Sequence, residues 1–171
     1  MKHKKIAFVG MMGSGKSTIS KILAQKLKIS HFELDEIFEK QENIKIKDFF
    51  KTHGEEKFRQ IETQILKTTI LNNEFVLSCG GGVILSEKNR DILFNSDIVT
   101  IYLETSAKTI FERIKSDRTR PLLLVDNPKE EIDKILSSRE NFYSKSSIII
   151  NTDDKNIDEI VEEILEELWK K

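Results

Sequence analysis

Hydrophobic positions along the chain form short continuous runs, separated by longer stretches in which apolar residues recur every three or four places. The runs are Ile6 to Val9, Phe75 to Cys79, Ile98 to Leu103 and Ile148 to Ile150, with a weaker one from His31 to Leu34. Unbroken runs of this length suit strands covered on both faces, as in a parallel sheet. After the first run, Ile19, Ile22, Leu23 and Leu27 make one helical face. Ile157, Ile160, Val161, Ile164, Leu165 and Leu168 make another near the C-terminus, and a helix is expected from Glu55 to Leu71. Strands alternating with helices predict an α/β fold, five strands with helices on both faces. The segment Asp117 to Asn127 holds Arg118, Arg120 and Pro121, precedes Pro128 and lacks clear periodicity, so a mobile loop is expected there.

Composition adds bounds rather than function. A chain of 171 residues fits one domain, residues 1–171, with a core large enough to need no staples. With 28 basic and 29 acidic residues the net charge is -1, which leaves no global field for nucleic acid or an anionic membrane. No apolar stretch approaches the ~20 residues of a membrane span, and Met1 to Lys5 leads into a strand rather than a signal core. The single cysteine, Cys79, excludes an intrachain disulfide and suits a reducing compartment. A cytoplasmic protein is expected, and a monomer, since no heptad run or apolar patch points to an obligate oligomer.

The most specific signal is Gly10-Met-Met-Gly-Ser-Gly-Lys-Ser17, which satisfies G-x-x-x-x-G-K-[ST] between a strand and a helix. Such a loop turns backbone N–H groups inward around a polyphosphate, and glycine at 10, 13 and 15 clears side chains from the approach. The helix beginning near Lys16 aims its N-terminal N–H groups at the same charge. Lys16 is expected at the β/γ-phosphates and the Ser17 hydroxyl on Mg²⁺, a hard ion that favours oxygen. Gly13, Ser14, Gly15 and Thr18 complete this nucleotide-binding set.

Ligands of an open parallel sheet sit beyond the carboxyl ends of its strands, so the residues after each run bear inspection. Glu33-Leu34-Asp35 follows the weak run, and alternation would put both carboxylates on one side of an extended chain. One could serve a Mg²⁺ water and the other a substrate hydroxyl; Asp35 also reads as a helix cap. Gly80-Gly81-Gly82 follows Cys79 and suggests close backbone approach to a ligand, or a simple turn. Cys79 has no identifiable base nearby and reads as a packing residue. Arg59 with Glu62, and Arg139 with Tyr143, share helical faces. Alone, either pair reads more readily as a solvated surface contact than as a functional one. His3, His31 and His53 form no ligand spacing, and Mg²⁺ entering with the nucleotide is the one metal implied.

Together these elements resemble the shikimate kinase family over essentially the whole chain. The loop Gly10 to Thr18, Glu33-x-Asp35, Phe58-Arg59-x-x-Glu62, Gly80-Gly81-Gly82, Arg120-Pro121-Leu122-Leu123 and Arg139-x-x-x-Tyr143 fall in the family's order. The resemblance implies a three-layer α/β/α P-loop NTPase fold of nucleoside monophosphate kinase type, with a five-stranded parallel sheet. It also implies a substrate-binding helical region at about residues 35–62 and a mobile lid at about 116–127. The implied reaction moves the ATP γ-phosphoryl group to the 3-hydroxyl of shikimate. Asp35 would hold the shikimate hydroxyls, Arg59 and Arg139 its carboxylate, and Gly80, Gly81 and Gly82 would present N–H groups. Arg120 would close over the phosphates, Arg113 would pack on adenine, and Glu33 and Ser78 would reach Mg²⁺ through water. Lys16, Asp35 and Arg120 would be the catalytic set. The chain departs from the family's usual pattern at Glu33, commonly aspartate, and Cys79, often threonine. Competing expectations are a related small kinase acting on gluconate or a nucleoside monophosphate, and a non-catalytic nucleotide-binding module.

Overall fold

In the computed structural model, residues 4–94, 97–115, 125 and 127–170 are described. Five strands, β1 (Lys5–Val9), β2 (His31–Glu33), β3 (Phe75–Ser78), β4 (Val99–Glu104) and β5 (Ile148–Asn151), form one sheet in the order β2-β3-β1-β4-β5. Every neighbouring pair is parallel. Helices α1 (Lys16–Leu27), α2 (Leu34–Glu42), α3 (Ile46–Thr69), α4 (Glu87–Phe94), α5 (Ala107–Ile114), α6 (Pro128–Tyr143) and α7 (Ile157–Lys170) make the connections.

The unbroken runs exist because alternate residues enter two different cores. Ile6 and Phe8 of β1, Val76 of β3 and Val99, Ile101 and Leu103 of β4 pack with α1 and α7 on one face. Ala7, Val9, Phe75, Leu77 and Tyr102 face the other way, against Phe38 of α2, Phe58 and Leu66 of α3 and Leu93 of α4. A third cluster joins Met11 of the loop to Ile110 and Ile114 of α5 and Ile132 of α6. The loop after β1 is thus seated on packed apolar side chains.

Local sequence explains where the elements break. Gly54 has φ 78° and ψ 170°, which interrupts α3, so the expected helix from Glu55 follows a separate helical stretch, Ile46 to His53. The extended stretch expected through Leu34 stops at Glu33, and Leu34 already opens α2. Asp35 therefore lies in the first turn of a helix, where a carboxylate is favoured by the helix dipole. Strand alternation does not relate it to Glu33, contrary to the extended pairing expected above.

Candidate active site

Parallel register aligns the carboxyl ends of the strands. Glu33 pairs with Ser78, and Ser78 with Phe8, so the ends of β2, β3 and β1 lie side by side beneath the loop of residues 10–17. Gly10, Gly13 and Gly15 all have positive φ, and Gly15 is the N-cap of α1. A Cβ on Gly13 would also come within 2.8 Å of Ile114, so larger residues are excluded twice over. Lys16, 8% exposed, donates from Nζ to the carbonyls of Gly10 and Met11, both at 2.9 Å. Its ammonium is folded across the mouth of the loop.

Ser17 donates through Oγ to Glu33 Oε2 at 3.1 Å and lies 3.5 Å from Ser78 Oγ. The three residues predicted around Mg²⁺ therefore meet, and the extra methylene of Glu33 does not prevent it. Partial burial pushes the Glu33 carboxyl up, while hydrogen bonds from Ser78 and Ser17 oppose the rise. An all-oxygen set of this kind fits a hard cation. Among the described residues no group of three or more His, Cys, Asp or Glu side chains is placed to hold a metal by itself. His31, assigned no chemistry above, lies 3.5 Å from Glu33 Oε1 and 2.9 Å from Ser20 Oγ through the same ring nitrogen.

A cleft of about 430 Å³ runs from this cluster over Lys16 to Asp35, Cys79, Gly80 and Gly81. Asp35 is open to that cleft with protein close on most sides, and the resulting loss of water raises its carboxyl pKa. The nearby charge of Lys16 opposes the rise, Glu39 adds to it and Arg59 opposes it more weakly. Gly80 has to be small because a Cβ there would stand 2.8 Å from Asp35 Oδ1. Cys79 is buried, and burial pushes its thiol well above the ordinary range, consistent with packing rather than nucleophilic chemistry.

Beyond Asp35 the two helical arginines converge on the triglycine turn. Arg59 bonds Glu62 Oε2 through Nη1 at 2.9 Å and Glu55 Oε1 through Nη2 at 3.0 Å. The pair is not a solvated contact: its side chains are 21% and 2% exposed. Burial raises the Glu62 carboxyl pKa and the guanidinium opposes it. A Cβ on Gly82 would lie 2.4 Å from Arg59 Nη2, so the guanidinium rests directly on that backbone. From α6, Arg139 Nη1 at 3.0 Å and the Tyr143 hydroxyl at 2.7 Å both donate to the Gly81 carbonyl. Tyr143 is fully buried, stacked on Tyr102 at 4.8 Å, which anchors this end of α6.

Arg113 donates to the Ser14 carbonyl at 3.2 Å and to the Thr152 carbonyl at 3.2 Å, joining α5 to the loop and to the end of β5. It borders a second cleft of about 930 Å³, with Ser14, Gly15, Thr18, Asn156 and Ile157. Ile157 was expected on the buried face of α7, yet it is 42% exposed beside this cleft. Periodicity alone could not separate it from Ile160 and Ile164. Thr152 and residues 155–157 were also missed; their one sequence signal is position, just past the last strand. Arg120 and most of the expected lid, residues 116–124 and 126, lie outside the described residues.

A family described as shikimate kinase matches residues 12–169. The shikimate kinase of Sulfurihydrogenibium sp. is 39% identical over 169 residues, which cover 98% of this chain and 99% of that one. Shikimate kinase from Acinetobacter baumannii in complex with shikimate superposes with a TM-score of 0.92 at 29% identity, over 99% of this chain and 94% of that one. A gluconokinase from Sinorhizobium meliloti shares the fold at a TM-score of 0.65 and 18% identity, over 98% and 92% of the two chains.

Proposed function

The chain belongs to the shikimate kinase family, ATP-dependent kinases with a hydroxyl acceptor, and on that premise we propose how its own residues move the γ-phosphoryl group of ATP to the 3-hydroxyl of shikimate. The observation that carries the proposal is the cleft that brings Lys16 and Asp35 together with the backbone of Gly80 and Gly81, where Arg139 bonds the Gly81 carbonyl and Arg59 rests against the adjoining Gly82. Phosphate-binding and carboxylate-binding groups thereby flank one carboxylate.

The loop N–H groups and Lys16 hold the transferring phosphate, and the start of α1 adds its dipole. A loose transition state needs alignment and charge neutralisation more than covalent help. Asp35 accepts the hydrogen bond of the acceptor hydroxyl and fixes its direction of attack. Arg59 and Arg139 take the acceptor carboxylate, since planar guanidinium groups bind carboxylates bidentately. Arg113 and Ile157 border the cleft where an adenine ring would stack. Ser17, Glu33 and Ser78 would hold Mg²⁺, which supplies charge neutralisation at the phosphates when bound. Arg120 enters the proposal from the family motif alone. A cytoplasmic location, with which the single buried cysteine agrees, and a monomeric state belong to the same proposal.

The test is ADP release with Mg-ATP and a panel of shikimate, gluconate and nucleoside monophosphates. Turnover with shikimate alone is expected; turnover with another acceptor and none with shikimate would defeat the proposal. Two substitutions probe the carboxylate clamp. Arg139→Ala should raise the shikimate KM about tenfold or more and leave the ATP KM little changed. Equal effects on both substrates would remove Arg139 from the clamp. Gly82→Ala pushes a methyl into the Arg59 guanidinium and should likewise raise the shikimate KM selectively, measured against a Gly54→Ala control, where added Cβ meets nothing within 4 Å. The control, at positive φ, should lose thermal stability rather than acceptor affinity.

A further inference from the structure

Asn89, on the first half of α4, is fully buried and has no place in the motifs that mark the site. Its amide is engaged at both ends: Nδ2 donates to the Val83 carbonyl at 3.1 Å and to Glu62 Oε2 at 3.4 Å, and Oδ1 lies 2.7 Å from the Thr63 hydroxyl, whose proton is shared with the Arg59 carbonyl at 2.9 Å. Two acceptors on one side and a hydroxyl donor on the other fix which way the amide faces. Glu62 is held less completely. Its Oε1 is buried with no hydrogen-bond partner, and Oε2 takes both Arg59 Nη1 and Asn89 Nδ2.

Arg59 is held between two carboxylates, exposed Glu55 through Nε and Nη2 and buried Glu62 through Nη1, and the buried one ties the guanidinium to the protein interior. Arg59 cannot anchor the group that positions it. The second bond to Oε2 comes from Asn89, which is tied at the same time to the turn following the triglycine. We propose that Asn89 is a positioning residue for acceptor binding, holding Glu62 and through it Arg59 against Gly82; this rests on Arg59 gripping the acceptor carboxylate. The next two carbonyls of that turn, Ile84 and Leu85, are taken by Arg90 at 2.8 and 3.1 Å, with its guanidinium 4.3 Å from the Phe142 ring of α6. The turn is therefore secured independently, and altering Asn89 addresses Glu62 rather than the turn as a whole.

The test is Asn89→Asp, which keeps the shape and removes the donor facing Glu62. The shikimate KM should rise about tenfold or more, with the ATP KM unchanged and kcat less affected. A rise confined to the shikimate KM, with the ATP KM retained, is a split that loss of fold alone would not give. An unchanged shikimate KM, or equal rises for both substrates, would overturn the proposal. Should Asn89→Asp fail to fold, Thr63→Val decides: it removes the bond that holds Oδ1, loosens the amide against Glu62 and should raise the shikimate KM about threefold or more, and no rise overturns the proposal. Arg59→Met is run in parallel. If it leaves the shikimate KM unchanged, the clamp itself fails; if it raises that KM and Asn89→Asp does not, the clamp stands and Asn89 falls.

Discussion

Lys16→Met is expected to lower kcat by about a hundredfold to a thousandfold for any acceptor, the scale of losing one preorganised charge-stabilising donor. The argument is geometric. Methionine keeps an unbranched stem of similar reach, so the buried channel stays filled, but it cannot replace the ammonium that bonds the Gly10 and Met11 carbonyls. The positive φ angles at Gly10, Gly13 and Gly15 belong to the backbone and should persist, so nucleotide affinity should fall less than turnover. Single-turnover kinetics separate the two effects. A variant that transfers phosphate at the native rate would deny Lys16 its role.

Asp35→Asn carries the second large effect, with kcat expected to drop by about 10²–10⁴ and the KM values to move little. Asparagine retains a hydrogen-bond acceptor for the substrate hydroxyl but loses the charge and the ability to take its proton. The pH profile gives a further check. Restricted hydration places the Asp35 pKa above its ordinary value, so on acidification the carboxylate is lost earlier than a solvated aspartate would be. Activity should therefore fall on acidification at a higher pH than a solvated aspartate would give, and the residual activity of Asp35→Asn should lack that limb. If the limb survives, Glu33 or Glu62, whose pKa values are also raised, carries it instead. Stability has the opposite sign. A carboxyl whose folded pKa is raised favours the fold below its unfolded pKa, and that contribution is lost as pH climbs through the folded pKa. At neutral pH Asp35→Asn should not lower the thermal midpoint, although it disables the enzyme.

The strands and the phosphate loop were legible because their signals are local. Ile6 to Val9 must be buried on both faces, and G-x-x-x-x-G-K-[ST] constrains backbone as well as side chains. The family motifs extended that to Asp35, Arg59, Gly80 to Gly82 and Arg139, which the fold brings around one cleft and its rim. What remained hidden depends on tertiary approach. Spacing places Arg59 and Glu62 on one face, but not inside the protein; the backbone of Gly82 brings the guanidinium there. The triglycine is small because of Asp35 and Arg59 as much as any ligand, and none of its members has positive φ. Leu34 looked like strand because an apolar residue after Phe32 fits either period, and packing against α3 decided for helix. Asn89 was silent, since a buried asparagine acquires meaning from its partners, 26 and 27 positions away.

The central claim is that one cleft aligns the terminal phosphate of ATP with a single hydroxyl of shikimate. Proton and phosphorus NMR of the product formed from Mg-ATP and shikimate tests it most directly. One phosphate per ADP released, attached at the 3-hydroxyl, is the predicted result; no phosphorylated shikimate, or phosphate at another hydroxyl, would contradict the account.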